Sequence, residues 1–352
     1  MDTVRGPEGR HAAVVFNPIK VDEQRLRADV AAAEESAGWQ PTRWYPTTEQ
    51  DPGQGLTAAA VADGAAVVLA AGGDGTVRAV AEALRDTGVP IALVPSGTGN
   101  LLARNLALSL TDNVASIATA FGGVDRPIDL GLASFDREDG TTDEHVFLVM
   151  AGLGIDAKMI AKTSPKLKKA VGWLAYIDGG VRALPELHSV KLKYRLDGGP
   201  SRELSAHSVL VGNCGSLPGG ILLMPDAKPD DGLLDITVLR PRGPFGWLKV
   251  WNAIAWENGV LRRSAVGRSI IDLRKDVRDV TNVQGRDLVL TLELPQEVQL
   301  DGDEFGVAVG MHARVDPGAL VVKVPALAAE AEEAPTLPAR RRSGRAASPS
   351  PR

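Results

Sequence analysis

One cysteine, Cys214, is all that this 352-residue chain contains. A lone thiol excludes an internal disulfide and cannot build a cysteine-based zinc site. The five histidines are scattered without ligand spacing, so structural zinc and Cys/His nucleophilic chemistry are both without support. Aromatic residues are scarce, at 4 %. No apolar stretch approaches the roughly 20 residues of a membrane span, and the polar start Met1–Gly6 carries no signal-peptide core. The expected location is therefore the cytoplasm. Charge of one sign is lacking too. A formal net charge of −5 gives no general attraction for nucleic acid or anionic lipid, so nucleic acid is not an expected partner and any membrane contact must be local. No Gly-x-Ser-x-Gly elbow occurs, which leaves an α/β hydrolase or other acyl-transfer enzyme unsupported. There is no internal repeat.

What is present is ordinary in bulk and specific in detail. Forty-four per cent of residues are hydrophobic and 24 % charged, as in a globular protein, and the length suits two domains that each bury a core. The run Ala65–Leu69 reads as a strand buried on both faces, and Val77, Val80, Ala81 and Leu84 recur at helical spacing. Between them lies Ala70-Ala71-Gly72-Gly73-Asp74-Gly75-Thr76. Glycines let backbone N–H groups approach an anion, and the following helix N-terminus favours negative charge. A carboxylate in such a turn works through a divalent cation or accepts a hydrogen bond, so Asp74 points to a metal-assisted nucleotide site or, more plainly, to a helix cap. A second buried strand, Pro90–Pro95, runs into Ser96-Gly97-Thr98-Gly99-Asn100 and a helix-like segment from Leu101. A third, Val14–Phe16, runs into Asn17-Pro18 and a charged helix from about 22 to 37. All three turns fall at the carboxyl end of a parallel sheet, where open α/β sheets place ligands.

The grammar changes after about residue 123. Short β-like runs follow at 146–150, 189–196, 206–211, 233–239, 269–272, 287–292, 298–300 and 319–324, interrupted by helical stretches at 166–184 and 244–263. An α/β domain, doubly wound on a parallel sheet, is thus expected over 11–127, and an antiparallel sandwich or barrel-like domain, all-β or α+β, over 128–325. The tail 326–352, rich in Ala, Glu, Pro, Arg and Ser, is expected to be disordered.

Phosphoryl transfer to a hydroxyl needs a held triphosphate, a cation and a carboxylate near the acceptor oxygen. The second half offers two acidic turns. Leu300-Asp301-Gly302-Asp303-Glu304 can project carboxylates back toward an interdomain cleft, or be a solvated hairpin tip. Asp230-Asp231-Gly232-Leu233-Leu234-Asp235 offers hard oxygens and a glycine-bent backbone, which suits Mg²⁺ or Ca²⁺ better than a soft metal. Asn213 ends a strand beside glycines, and either faces the cleft or serves a turn.

These motifs together with Thr47-Thr48-Glu49 and Ile128-Asp129-Leu130-Gly131, taken in order, resemble the diacylglycerol kinase catalytic-domain family. That family includes sphingosine and ceramide kinases, and the likeness is closest to its bacterial soluble lipid kinases. It covers about 12–325 and implies an NAD kinase-like first domain, ATP and Mg²⁺ as cofactors, and a lipid alcohol as acceptor, diacylglycerol by default. It implies ATP contacts at Asn17, Pro18, Thr48, Ala71, Gly72, Gly73, Asp74, Gly75, Thr76, Gly97, Thr98 and Asn100. It also implies catalytic acids at Asp303, Asp301 and Asp74, with the proton acceptor at Asp303. For magnesium it implies Asp231 with the carbonyls of Lys228 and Leu233. Two departures stand out. The acceptor position holds Asp where the family has Glu, leaving Asp303 or Glu304 as the base. Ile19-Lys20-Val21 replaces the usual Ser-Gly after Asn-Pro, where Lys20 can offer a point charge.

The lipid side is marked by Lys158, Lys162, Lys166, Lys168 and Lys169 beside an apolar helical series, and by Trp247 and Trp251 on the second helix. Each fits peripheral contact with a membrane surface or a plain core-facing helix. NAD kinases share the Gly-Gly-Asp-Gly turn, but their downstream Thr-Pro-Thr-Gly-Ser-Thr-like segment is not here, and the sugar-phosphate arginines of phosphofructokinases cannot be placed. A non-catalytic lipid- or nucleotide-sensing module of the same fold is the alternative, and a homodimer stays open.

Overall fold

The computed structural model describes residues 9–153, 189–217, 221–240 and 280–326. The expected helices at 166–184 and 244–263, the strand at 269–272, the lysine and tryptophan clusters and the tail beyond 326 lie outside the described residues.

The first half alternates strand and helix: β1 (His11–Phe16), α1 (Glu23–Ala37), β2 (Gln40–Pro46), α2 (Gln54–Ala62), β3 (Val67–Gly72), α3 (Asp74–Leu84), β4 (Ile91–Pro95), α4 (Leu101–Asn105) and α5 (Asn113–Gly122). The helices start and stop where side-chain chemistry dictates. Asp22 accepts the Arg25 N–H at the head of α1, and Gly38, with φ 70°, ends it in the left-handed conformation. β1 pairs parallel with β2 and β3, and β3 with β4. Alternation along these strands sorts two cores. Ala12, Val14, Phe16, Val67 and Leu69 pack with Leu26 and Val30 of α1 and Ile117 of α5. Ala13, Val15, Val68 and Ala70 pack on the opposite face with Ala60 of α2 and Val80, Ala81 and Leu84 of α3. Helices on both faces are why every residue of β3 is buried and why its sequence is a continuous apolar run.

The second half is built of strands: β5 (Val124–Asp136), β6 (Thr142–Phe147), β7 (Met150–Leu153), β8 (Val190–Leu196), β9 (Arg202–Ala206), β10 (Ser208–Gly212), β11 (Ser216–Leu217), β12 (Ile221–Leu222), β13 (Leu234–Leu239), β14 (Val280–Gly285), β15 (Asp287–Leu300) and β16 (Asp303–Val324). Apart from the pair β11–β12, their neighbours run antiparallel in the order β14-β13-β10-β7-β15-β16. A separate core of Phe135, Phe147, Leu153, Val211, Ile236, Leu290, Val298 and Met311 fills this half.

One strand joins the two halves. β16 pairs with β15 from Asp303 to Arg314, with β5 from Gly310 to Val324, and parallel with β4 at Val322–Ile91. The acidic turn that opens it is therefore carried on the element that completes the first sheet. Two expected strands also differ in extent. The runs 287–292 and 298–300 are one strand with a register irregularity between Thr291 and Gln296, and the apolar run 146–150 is split at Leu148–Val149 because those amides turn to a side chain.

Buried Asp129 on β5 fixes this junction. Its Oδ1 accepts Gly318 N–H at 2.8 Å from β16, and its Oδ2 accepts Gly232 N–H at 2.7 Å. Both glycines have positive φ, 64° and 71°. Asp129→Asn, which turns an amino group toward an N–H, is expected to destabilise the fold by about 1–3 kcal/mol in urea unfolding. An unshifted midpoint contradicts that role.

Candidate active site

Three strands of the first sheet end side by side, and their turns are tied by main-chain bonds. Asn17 N–H donates to Ala71 O at 2.9 Å, and Ser96 N–H to Gly72 O at 3.1 Å. The two glycine turns touch. A Cβ on Gly97 would lie 2.7 Å from Gly73 Cα, and one on Gly99 would lie 2.5 Å from Asp74 Oδ2, so glycine is required by close approach rather than by φ. Asn100, itself left-handed at φ 47°, closes the second turn by exchanging hydrogen bonds with Gly97 at 3.0 Å in both directions.

Asp74, the first residue of α3, spans the two turns. Its Oδ2 accepts Asn100 N–H at 3.0 Å and its Oδ1 accepts Leu101 N–H at 2.6 Å. Burial raises its pKa, these amides pull it back, and the Asp303 carboxylate raises it further. Thr76 is buried beneath Gly72. The Asn-Pro loop closes on itself without glycine: Asn17 Oδ1 accepts Ile19 N–H at 3.0 Å, and Asn17 O accepts Lys20 N–H at 2.9 Å. Ile19 is left 88 % exposed at its tip. Thr48 Oγ1 accepts Asp51 N–H at 3.1 Å, which leaves the hydroxyl proton to donate.

The acidic turn of the second half arrives over this edge. Asp301 and Asp303, two residues apart, do different things. Asp301 is buried with φ 50°, and its carboxylate accepts the N–H groups of Leu148, Val149 and Met150 at 2.8, 2.8 and 2.9 Å. Burial pushes its pKa up to about 6, against the downward pull of these amides. Asp303 stands out from the tip: a Cβ on Gly75 would lie 3.1 Å from its Oδ2. Strand alternation puts Glu304 on the opposite face of β16, and Phe305 on the same face as Asp303.

Arg78, which sequence reasoning did not single out, meets Asp303 from below. It stands four residues after Asp74 on α3, hence on the same helix face, and its Nη2 lies 3.2 Å from Asp303 Oδ2. Its guanidinium lies 4.5 Å from the Phe305 ring centroid. The i, i+4 spacing from Asp74 was the available signal.

At the other acidic turn, Asp231 Oδ1 accepts Leu233 N–H at 3.1 Å. Burial raises the pKa of Asp231, and Asp129 and Asp230 add to the rise. Burial also raises Asp235, as do Asp231 and Asp226. Among the described residues no three His, Cys, Asp or Glu side chains converge as a metal cage. A cation at this turn must therefore draw on main-chain carbonyls, and the all-oxygen donors and mutually repelling acids fit a hard ion. Asn213 is buried, its amide donating to Asp129 O at 2.8 Å and Leu148 O at 3.2 Å, a clamp inside the second half.

An α/β sheet with apposed glycine turns is thus faced by an acid from an antiparallel β-sandwich. Residues 11–133 match the diacylglycerol kinase catalytic domain, and 149–266 match the YegS C-terminal NAD kinase β-sandwich-like domain. A Pseudomonas aeruginosa (strain UCBPP-PA14) protein named probable lipid kinase YegS-like is 31 % identical over 320 residues, 89 % of this chain and 94 % of its own length. One of the same name from Pseudomonas putida is 33 % identical over 247 residues, 69 % of this chain and 78 % of its own length. The solved structure of a diacylglycerol kinase from Bacillus anthracis strain Sterne superposes with a TM-score of 0.60 at 20 % identity, covering 89 % of this chain and 96 % of that one. The chain belongs to the diacylglycerol kinase catalytic-domain family, among its YegS-like lipid kinases. No helix among the described residues is long and apolar enough to cross a membrane.

Asp301→Asn is expected to lower stability by about 2 kcal/mol, since an amide cannot accept all three N–H groups. With its pKa raised from 3.8 to about 6, the folded state holds this proton more tightly than the unfolded chain, so the pH-dependent part of its contribution is fully present below about pH 4 and lost as pH rises through 6. Urea midpoints from pH 4 to 7 should therefore fall less steeply in the variant. Parallel profiles contradict the assignment.

Proposed function

We propose that this protein transfers the γ-phosphate of ATP to the hydroxyl of a membrane lipid, with diacylglycerol, giving phosphatidic acid, as the default acceptor. The observation that carries this reading is Asp303, which belongs to the second half and sits against Gly75 of the first glycine turn. The amides and hydroxyls of 71–76 and 97–100 cradle the phosphates, with Asn17, Pro18 and Thr48 on the β1–β2 side. Asp303 accepts the proton of the lipid hydroxyl. The freed oxygen forms a bond to the γ-phosphorus as the bond from that phosphorus to the β–γ bridging oxygen breaks, and ADP leaves. Asp303 later returns the proton to water. Asp301 holds the tip in place and does not touch the acceptor.

Asp74 would hold Mg²⁺ beside the phosphates, and Asp231 with the Lys228 and Leu233 carbonyls would hold a second, structural ion. When bound, the catalytic ion supplies positive charge to the transferring phosphoryl group. Because ATP is the donor, the reaction belongs at the cytoplasmic face of a membrane, with the protein peripheral to it.

The direct test is a radiolabelled-ATP assay against a panel of lipid alcohols in mixed micelles, with magnesium and then with chelator. Phosphorylated lipid is expected with diacylglycerol, and only with magnesium. Asp303→Asn should lower kcat by about 10³-fold with the fold intact, and Asp74→Asn by a comparable factor. No lipid product from any acceptor, with ATP still bound, favours the sensing module. Asp231→Ala should lower the melting temperature and weaken the magnesium dependence of stability.

A further inference from the structure

Asp303 is 52 % exposed at the side chain, yet one group restrains it. Arg78 is 11 % exposed and reaches it from α3, the helix that begins at the glycine turn. The guanidinium carbon lies over the Phe305 ring. That ring is fixed in turn by His145, centroids 4.7 Å apart, and by Phe135 at 6.5 Å. Arg78 Nε is buried and has no hydrogen-bond partner among the described residues. A largely desolvated guanidinium that leaves its buried Nε–H donor unused is a poor contributor to stability. What the arrangement does provide is orientation, because a planar fork packed over a fixed ring and ion-paired at one end has little freedom of its own.

We propose that Arg78 is a positioning residue that holds the Asp303 carboxylate over Gly75, aimed at the acceptor hydroxyl. The inference rests on the reading of Asp303 as the proton acceptor. Without the guanidinium, a half-exposed carboxylate on a turn samples solvent-facing rotamers, and misplacement of a reacting group by about 1 Å can cost about 10²-fold in rate. Because Arg78 acts through Asp303, it affects turnover and leaves the binding of ATP and lipid alone.

The test uses the full chain and the lipid kinase assay, comparing Arg78→Gln, Arg78→Lys, Asp303→Asn and the double variant Arg78→Gln/Asp303→Asn. Arg78→Gln should lose about 10²-fold in kcat, with KM for ATP and for lipid each within about threefold. Arg78→Lys, which keeps the charge, should recover about tenfold of that loss. In the Asp303→Asn background, Arg78→Gln should change kcat by less than about twofold, since coupled residues are not additive. The proposal is overturned if Arg78→Gln keeps kcat, if it raises both KM values instead, or if it lowers kcat as much with Asp303 already replaced. Should Arg78→Gln fail to fold, Phe305→Leu, which removes only the ring beneath the guanidinium, carries the same prediction at reduced size. Full activity in Asp303→Asn sinks the base assignment itself, and is read separately from the Arg78 series.

Discussion

The carboxylate of Asp301, accepting three consecutive backbone N–H groups from Leu148, Val149 and Met150, decides where the second half of this protein points its chemistry. Two residues on, the chain has no freedom to carry Asp303 elsewhere, because β15 and β16 pair on either side of the tip through Leu300 and Asp303. The same bonds break what would otherwise be one strand into β6 and β7. A buried anion met by backbone donors is thus the hinge pin between a β-sandwich and the edge of a parallel sheet. β16 then makes the junction rigid by running on as a member of that sheet.

On the facing side, small size does what charge does on the other. Gly73 and Gly97 bring two turns into backbone contact, and Gly99 admits the Asp74 carboxylate between them. The outcome is an acid that caps α4 through two amides while feeling a second acid, Asp303, across the cleft. Two carboxylates set this close favour a cation near them, such as the Arg78 guanidinium. In the proposed reaction this arrangement would set an anionic ligand over N–H groups, with acids beside it for a proton and a cation.

Much of this was legible in the sequence, for local reasons. The βα order of the first half, the burial of β3 and the glycine turns follow from periodicity and backbone sterics within a dozen residues. The class of the second half followed from short runs and turn residues. What was not legible depends on distant partners. The break at Leu148–Val149 is caused by a side chain more than 150 residues away. The different fates of Asp301 and Asp303 depend on which oxygens find amides, although strand alternation placed Glu304 on the other face once the strand was known. The ion pair of Arg78 with Asp303 joins positions 225 residues apart; local pattern puts Arg78 on the helix face of Asp74 but does not name its partner.

The most direct measurement is a crystal structure of the protein with a non-hydrolysable ATP analogue and magnesium. The account predicts the γ-phosphate between the turns at 72–76 and 97–100, with space for one hydroxyl oxygen between it and the Asp303 carboxylate. A nucleotide bound away from both turns, or one whose γ-phosphate is separated from Asp303 by intervening protein, contradicts it.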